Sequence, residues 1–318
     1  MGPEAYSNSA EAQSFALRFM QTTKQLARAN RLFNTRNLRT APMTQTQASS
    51  VRMHGMLDKS AVRGQVPANL GNADIQKQRC LNRLRNKHDD LNRYEYLDGL
   101  RQTNTTLFYR LLIDHLNELT PLVYTPVIGL ACQNWSHIFT HKADALYLSW
   151  KDKGHIAEVL REFQGHQDVA ISVVTDGSRI LGLGDLGMNG VGIPIGKLSL
   201  YVACAGIHPA KTLPMILDLG TNNETNLKDP LYLGLKQQRA SPAETKEFVA
   251  ELMKAFSERF PGAILQFEDF SNDVCFDLLS ENREKYPCFN DDIQGTGAVT
   301  LAGFISAVRQ SGKPVQDH

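Results

Sequence analysis

The sequence lacks several features that would narrow its function at once. It has no CxxC pair, and its five cysteines, Cys80, Cys132, Cys204, Cys275 and Cys288, are odd in number and scattered. Such spacing offers neither a zinc site nor a disulfide framework, and it fits reduced thiols in an intracellular compartment. No apolar run reaches bilayer-spanning length. No charge of one sign dominates, since 34 Lys and Arg stand against 33 Asp and Glu. That balance predicts neither a nucleic-acid partner nor a membrane partner. There is no internal repeat. Acids are also absent from one particular stretch, Phe15 to Val51. The first 57 residues carry seven Arg or Lys and only Glu4 and Glu11 as acids. Two readings fit this start: an organellar transit segment, or a plain disordered tail. The two early acids count against the first.

What is present suggests two domains in a chain of 318 residues. From Asn72 to Leu119 the pattern is helical, with Leu97, Leu100, Leu107, Leu111 and His115 near helical spacing. Pro121 and Pro126 are expected to break it. After Asn134 the character changes. The runs Val169–Val174, Leu213–Leu217 and Ala263–Phe267 are apolar and end in Thr175-Asp176-Gly177, Asp218-Leu219-Gly220 and Glu268-Asp269. They read as buried parallel strands. Between them, Ser241-Pro242-Ala243-Glu244 predicts a capped helix start, with Phe248, Leu252 and Phe256 as its apolar face. The expected fold is α/β: a helical N-terminal domain, then a parallel-sheet domain. Sites in such sheets lie beyond the carboxyl ends of strands.

The polar residues there carry the chemistry. Glu268, Asp269, Asp291 and Asp292 fall within 25 residues and follow apolar or aromatic side chains. Unpaired carboxylates are costly in such surroundings. A hard divalent cation with oxygen ligands would compensate them, and so would a strand-end cluster of salt bridges. Glu268 and Asp269 would face opposite sides of a continuing strand. They can reach one ion only if the strand ends there, as Ser271-Asn272 suggests. Lys197, at the edge of an apolar segment, reads as a base with a lowered pKa or as a snorkelling surface lysine. Arg179 reads as a fork for a carboxylate substrate or as a structural ion pair. Tyr124 sits in a rigid turn and reads, on its own, as a half-buried tyrosine with a bonded hydroxyl. Gly182-Leu183-Gly184-Asp185-Leu186-Gly187 matches GxGxxG. Yet Gly190, Gly192 and Pro194 follow where a helix should open, Asp185 would oppose a pyrophosphate, and the next acid is Asp218. A loop that brings backbone close to a small ligand fits better.

Together these residues resemble malic enzyme, from roughly residue 30 to the end. The motifs are Leu107-Phe108-Tyr109-Arg110, Val123-Tyr124-Thr125-Pro126, the stretch Val174 to Gly187, Gly192 to Lys197, Ala205-Gly206-Ile207-His208-Pro209, Glu268-Asp269, and Phe289 to Thr296. The resemblance implies oxidative decarboxylation of L-malate to pyruvate and CO2 with NAD or NADP and Mg2+ or Mn2+. It implies Glu268, Asp269 and Asp292 as metal ligands, Lys197 as base with Asp291 as its partner, and Tyr124 as the acid that protonates C3. Arg179 would grip a substrate carboxylate and reach toward the nicotinamide. It also implies a homo-oligomer, dimer or tetramer, in mitochondria or cytoplasm. The expected division is 1–29 tail or targeting segment, 30–126 helical domain, 127–291 substrate and metal domain, and 292–318 the start of an NAD(P)-binding domain otherwise absent.

Two departures follow. Gln102-Thr103-Asn104-Thr105 stands where fumarate-activated members carry an Arg, so fumarate activation is not expected. No Gly-rich phosphate loop follows Asp292, so the chain alone is expected to transfer no hydride. Two alternatives remain: metal-dependent oxaloacetate decarboxylation only, and a non-catalytic module that pairs with full-length subunits.

Overall fold

A computed structural model describes residues 71–139 and 145–313. The expectations for the 1–29 tail and for residues 30–70 therefore lie outside the described residues. The helical part comprises α1 (Ala73–Arg85), α2 (Asp90–Thr103), α3 (Thr105–Asp114), α4 (Leu116–Val123), α5 (Val127–Gln133) and α6 (Trp135–Ile138). Short polar side chains start the first three. Asn72, Asp89 and Asn104 each accept a hydrogen bond from an N–H in the first turn that has no helical partner.

The expected break at Pro121 does not occur, because Pro121 lies inside α4. It forgoes only the bond to Asn117, and the helix ends two residues later, where the Tyr124 N–H still reaches the Thr120 carbonyl. Pro126 directly precedes α5.

Five parallel strands follow: β1 (Leu146–Ser149), β2 (Ile171–Thr175), β3 (Thr212–Asp218), β4 (Ile264–Phe267) and β5 (Cys288–Asn290). Their spatial order is β1-β3-β2-β4-β5. The intervening helices are α7 (Ile156–Glu162), α8 (Gly192–Ala205), α9 (Glu224–Lys228), α10 (Pro242–Arg259) and α11 (Cys275–Asn282), and α12 (Thr296–Ser311) comes last. Every residue of β2 and β3 is buried, which is why both read as unbroken apolar runs.

Side chains alternate between two layers. Ile171 and Val173 of β2 face Leu198 of α8, while Val174 faces the layer of α10 with Phe248, Leu252 and Phe256. Each such fully buried side chain contributes about 1.5–3 kcal/mol. Helix α10 opens with the expected cap: Ser241 and Glu244 exchange bonds in a capping box, with Pro242 at its start.

Helix α8 joins the two parts. Its Ile193, Ile195 and Val202 pack with Phe108, Leu111, Leu119 and Ile128 of the helical part, while Leu198 packs on the sheet. Helix α12 is the exception to this packing. Val299, Leu301, Phe304 and Ile305 are exposed there, and Val308 is the buried apolar residue. Among the described residues no helix is long and apolar enough to cross a membrane.

Candidate active site

Because all five strands are parallel, their carboxyl ends share one side. The chain leaves β2 for β3 on one flank, and β4 pairs with β2 on the other. The crevice outside that reversal is where α/β sheets bind ligands. Arg179 lies just beyond β2, Glu268 and Asp269 directly follow β4, and Asp291 and Asp292 directly follow β5.

The strand does end where both acids require it. Asp269 has φ 54°, the one positive value on a non-glycine among the described residues. Aspartate tolerates this left-handed geometry better than most side chains. The turn is clamped by its neighbours. The Arg179 N–H donates to the Asp269 carbonyl (3.1 Å), the Asp269 N–H donates to Asp292 Oδ2 (2.8 Å), and the Ser271 N–H donates to Ser178 Oγ (2.8 Å). Glu268 and Asp269 now sit close enough to repel each other. Burial, then Glu268 and Asp292, push the Asp269 carboxyl up to about 8 against the pull of Lys197. Burial also pushes Glu268 up to about 7, with Lys197 opposing and Asp292 and Asp291 adding to it.

Lys197 reaches this cluster from α8. Its Nζ lies 2.7 Å from Glu268 Oε1 and 2.8 Å from Asp291 Oδ2. It also stands 5.3 Å from the centre of the Tyr124 ring. The expected lowered pKa is not found. Burial acts to lower it, but Glu268, Tyr124 and Asp291 outweigh burial and hold it above the usual lysine value. Tyr124 is half-buried, and burial pushes its hydroxyl above the usual phenol value, with Lys197 pulling the other way. Gly196 makes their approach possible. A Cβ there would lie 2.8 Å from both Tyr124 Cδ2 and the Val123 carbonyl. Tyr124, Lys197, Glu268, Asp269, Asp291 and Asp292 are therefore together. Arg179 joins them through its backbone; its side chain is exposed and makes no ion pair among the described residues.

The GxGxxG stretch behaves differently from expectation. A 3-10 turn (Gly187–Val191) leads straight into α8, so a helix does open there, with Pro194 in the first turn where its missing N–H costs little. The close approaches are to the protein's own chain: a Cβ on Gly177 would meet the Gly187 carbonyl at 2.1 Å. Asp185 is saturated. It accepts from the Gly187 and Asn222 N–H groups, from the Thr221 hydroxyl, and from Arg239 through Nε (3.1 Å) and Nη2 (2.6 Å). Arg239 also donates to Asp176 Oδ2 (3.2 Å). Nothing in the sequence around Arg239 marks it, because its partners lie 54 and 63 positions away.

The donor set suits a hard divalent cation in its chemistry. It is all oxygen, two of its carboxylates are nearly fully buried, and burial first, with the neighbouring acids adding, raises their pKa values against the pull of Lys197. Among the described residues no three such groups converge as a finished cage. Glu268 is drawn onto Lys197, and Asp292 onto the Asp269 amide.

Residues 101–283 match the family model described as malic enzyme, N-terminal domain. The chain is 43% identical over 274 residues to an NAD-dependent malic enzyme of Acinetobacter baylyi, covering 86% of this chain and 46% of that protein. It is 47% identical over 261 residues to an NADP-dependent malic enzyme of Dictyostelium discoideum, covering 82% and 48%. A crystal structure of NAD-dependent malic enzyme from Thermotoga maritima aligns at 22% identity over 63% of this chain and 41% of that one, with a TM-score of 0.34. The chain spans about half the length of the curated relatives it matches. With the family model matching 183 of its 318 residues, and with the site residues gathered at the carboxyl ends of a parallel sheet, the chain belongs to the malic enzyme family.

Proposed function

We propose that this chain carries the substrate-binding and proton-transfer site for oxidative decarboxylation of L-malate to pyruvate and CO2, with NAD or NADP as hydride acceptor. One observation carries this reading: an acid, Tyr124, and a lysine, Lys197, stand side by side, and the lysine is held between two carboxylates. The reaction needs one proton removed from the C2 hydroxyl as hydride leaves, and one delivered to C3 after CO2 departs. Lys197, which Glu268 and Asp291 hold as the ammonium, accepts the first through its minor neutral form, and Asp291 holds the ammonium that results. Tyr124 gives the second, and Lys197 replaces the proton that Tyr124 loses. The exposed guanidinium of Arg179 receives a substrate carboxylate in a two-bonded fork. A divalent cation held by Glu268, Asp269 and Asp292 would polarise the C2 oxygen and stabilise the charge left by CO2. The buried wall of α8 and the helical part excludes water from one side of Lys197.

The test uses the step that needs no hydride acceptor. With Mn2+ and oxaloacetate, the 318-residue chain should form pyruvate faster than Mn2+ alone. Lys197→Ala and Tyr124→Phe should each slow it by about 10²–10⁴-fold. Pyruvate formation no faster than the protein-free rate sinks the reading.

A further inference from the structure

Two polar side chains of helix α8 reach β4 and the residue that follows it. Lys197 meets Glu268, and Tyr201, one turn further along α8, meets Gln266, two residues before Glu268 on the strand. We propose that Gln266, with its amide fixed by Tyr201, is a positioning residue that holds the Glu268 carboxylate in place for a divalent cation. The inference rests on the metal-binding reading given above.

Gln266 is fully buried in a strand whose neighbours on both sides are paired. Leu265 and Phe267 pack into the α10 layer, so Gln266 faces α8. A side-chain amide in that place is costly unless both its ends are bonded. Both are: Tyr201 Oη donates to Gln266 Oε1 (2.5 Å), and Gln266 Nε2 donates to Glu268 Oε2 (2.5 Å).

The chemistry permits one orientation. Were the amide turned over, its carbonyl oxygen would oppose the Glu268 carboxylate, acceptor against acceptor. The ionised Glu268 carboxylate therefore selects the amide direction, and the Tyr201 hydroxyl, able to donate or accept, completes it by donating to Gln266 Oε1. Glu268 is gripped on one oxygen by a neutral N–H and on the other by Lys197. Without Gln266 the carboxylate would be oriented by Lys197 alone, and a cation arriving beside it would meet a freely turning ligand. Partners of this kind, bonded to a ligand rather than to the metal, commonly set metal affinity.

The experiment is Mn2+ titration of the 318-residue chain by calorimetry, with thermal unfolding of each metal-free variant alongside. Gln266→Met keeps the volume and removes both bonds; it should weaken Mn2+ binding about 10–100-fold. Tyr201→Phe should weaken it about 2–10-fold, as for one lost hydrogen bond, and should have no further effect on top of Gln266→Met. A lower melting temperature with parental Mn2+ affinity in Gln266→Met means a merely structural role and overturns the proposal. Glu268→Gln is the control for the reading beneath it. If the parent shows no Mn2+ binding that Glu268→Gln removes, the metal reading fails, and a crystal structure of metal-free Gln266→Met decides the positioning claim. A Glu268 carboxylate turned away from its parental direction upholds that claim, and an unmoved one overturns it.

Discussion

Two groups of carboxylates close the same end of the sheet, and they are built on opposite terms. Around Arg239, two acids share one guanidinium, and Asp185 is bonded by five donors from its own chain. Around Lys197, four acids gather near one ammonium that bonds only Glu268 and Asp291, and burial with this crowding raises Glu268 to about 7 and Asp269 to about 8. The first group ties the loop after β2, the glycine-rich turn and the loop after β3 to one another. The second leaves charge unanswered. A buried acid that its own chain satisfies anchors loops, while a buried acid left short of cations waits for something from outside. The GxGxxG stretch belongs to the first kind, although by pattern alone it resembled the second.

That contrast can be broken at four points, three substitutions in falling order of effect and then a pH profile. Arg239→Met leaves Asp176, 2% exposed, without its cation. The expected loss is about 3–5 kcal/mol in urea denaturation, and a loss below about 1 kcal/mol would remove the anchor role. Gly196→Ala forces a Cβ against Tyr124 and the Val123 carbonyl. It should cost about 1–3 kcal/mol and slow pyruvate formation from oxaloacetate, with both read on the same preparation. Asp269→Asn should go the other way. It removes charge from the overcrowded group, keeps a side chain that tolerates positive φ, and should add about 0.5–2 kcal/mol at pH 8 with chelator present. The same variant should lose Mn2+ binding.

The fourth point concerns pH. Unfolded Asp and Glu release their protons near pH 4, whereas the folded metal-free chain keeps those of Glu268 and Asp269 to about 7 and about 8. The native state binds more protons across that interval, so these two groups make stability fall as pH rises from about 4 to 8. Subtracting the Asp269→Asn profile from the parent's isolates the part due to Asp269. A flat difference curve would show that its charge is matched after all.

The sequence made some parts of this arrangement plain and hid others. Strands β2, β3 and β4 were legible because complete burial makes a parallel strand an unbroken apolar run. Helix α10 was legible because its cap is local. Strand β5 has three residues, too few for a period to register, and β1, an edge strand buried only at alternate positions, shows no unbroken apolar run. The acids were visible as types, but the turn at Asp269 that brings them together was not, because positive φ at aspartate is a choice made by its neighbours. Of the two readings of the lysine, the lowered pKa had the wrong direction for a related reason. Burial could be inferred from flanking apolar residues, while Glu268 and Asp291, 71 and 94 positions away, could not be weighed from their sequence positions. Gln266 lay unremarked within the run Ala263–Phe267, because its partner is a tyrosine from another element.

The double seating of α8 has a dynamic consequence. A helix held by the helical part on one side and by the sheet on the other cannot fray or swing without parting both cores. The backbone amide of Lys197 should therefore exchange with deuterated water only as fast as the whole chain unfolds. The lysine's placement would then be as durable as the fold itself, and motion at the site would belong to the exposed arginine.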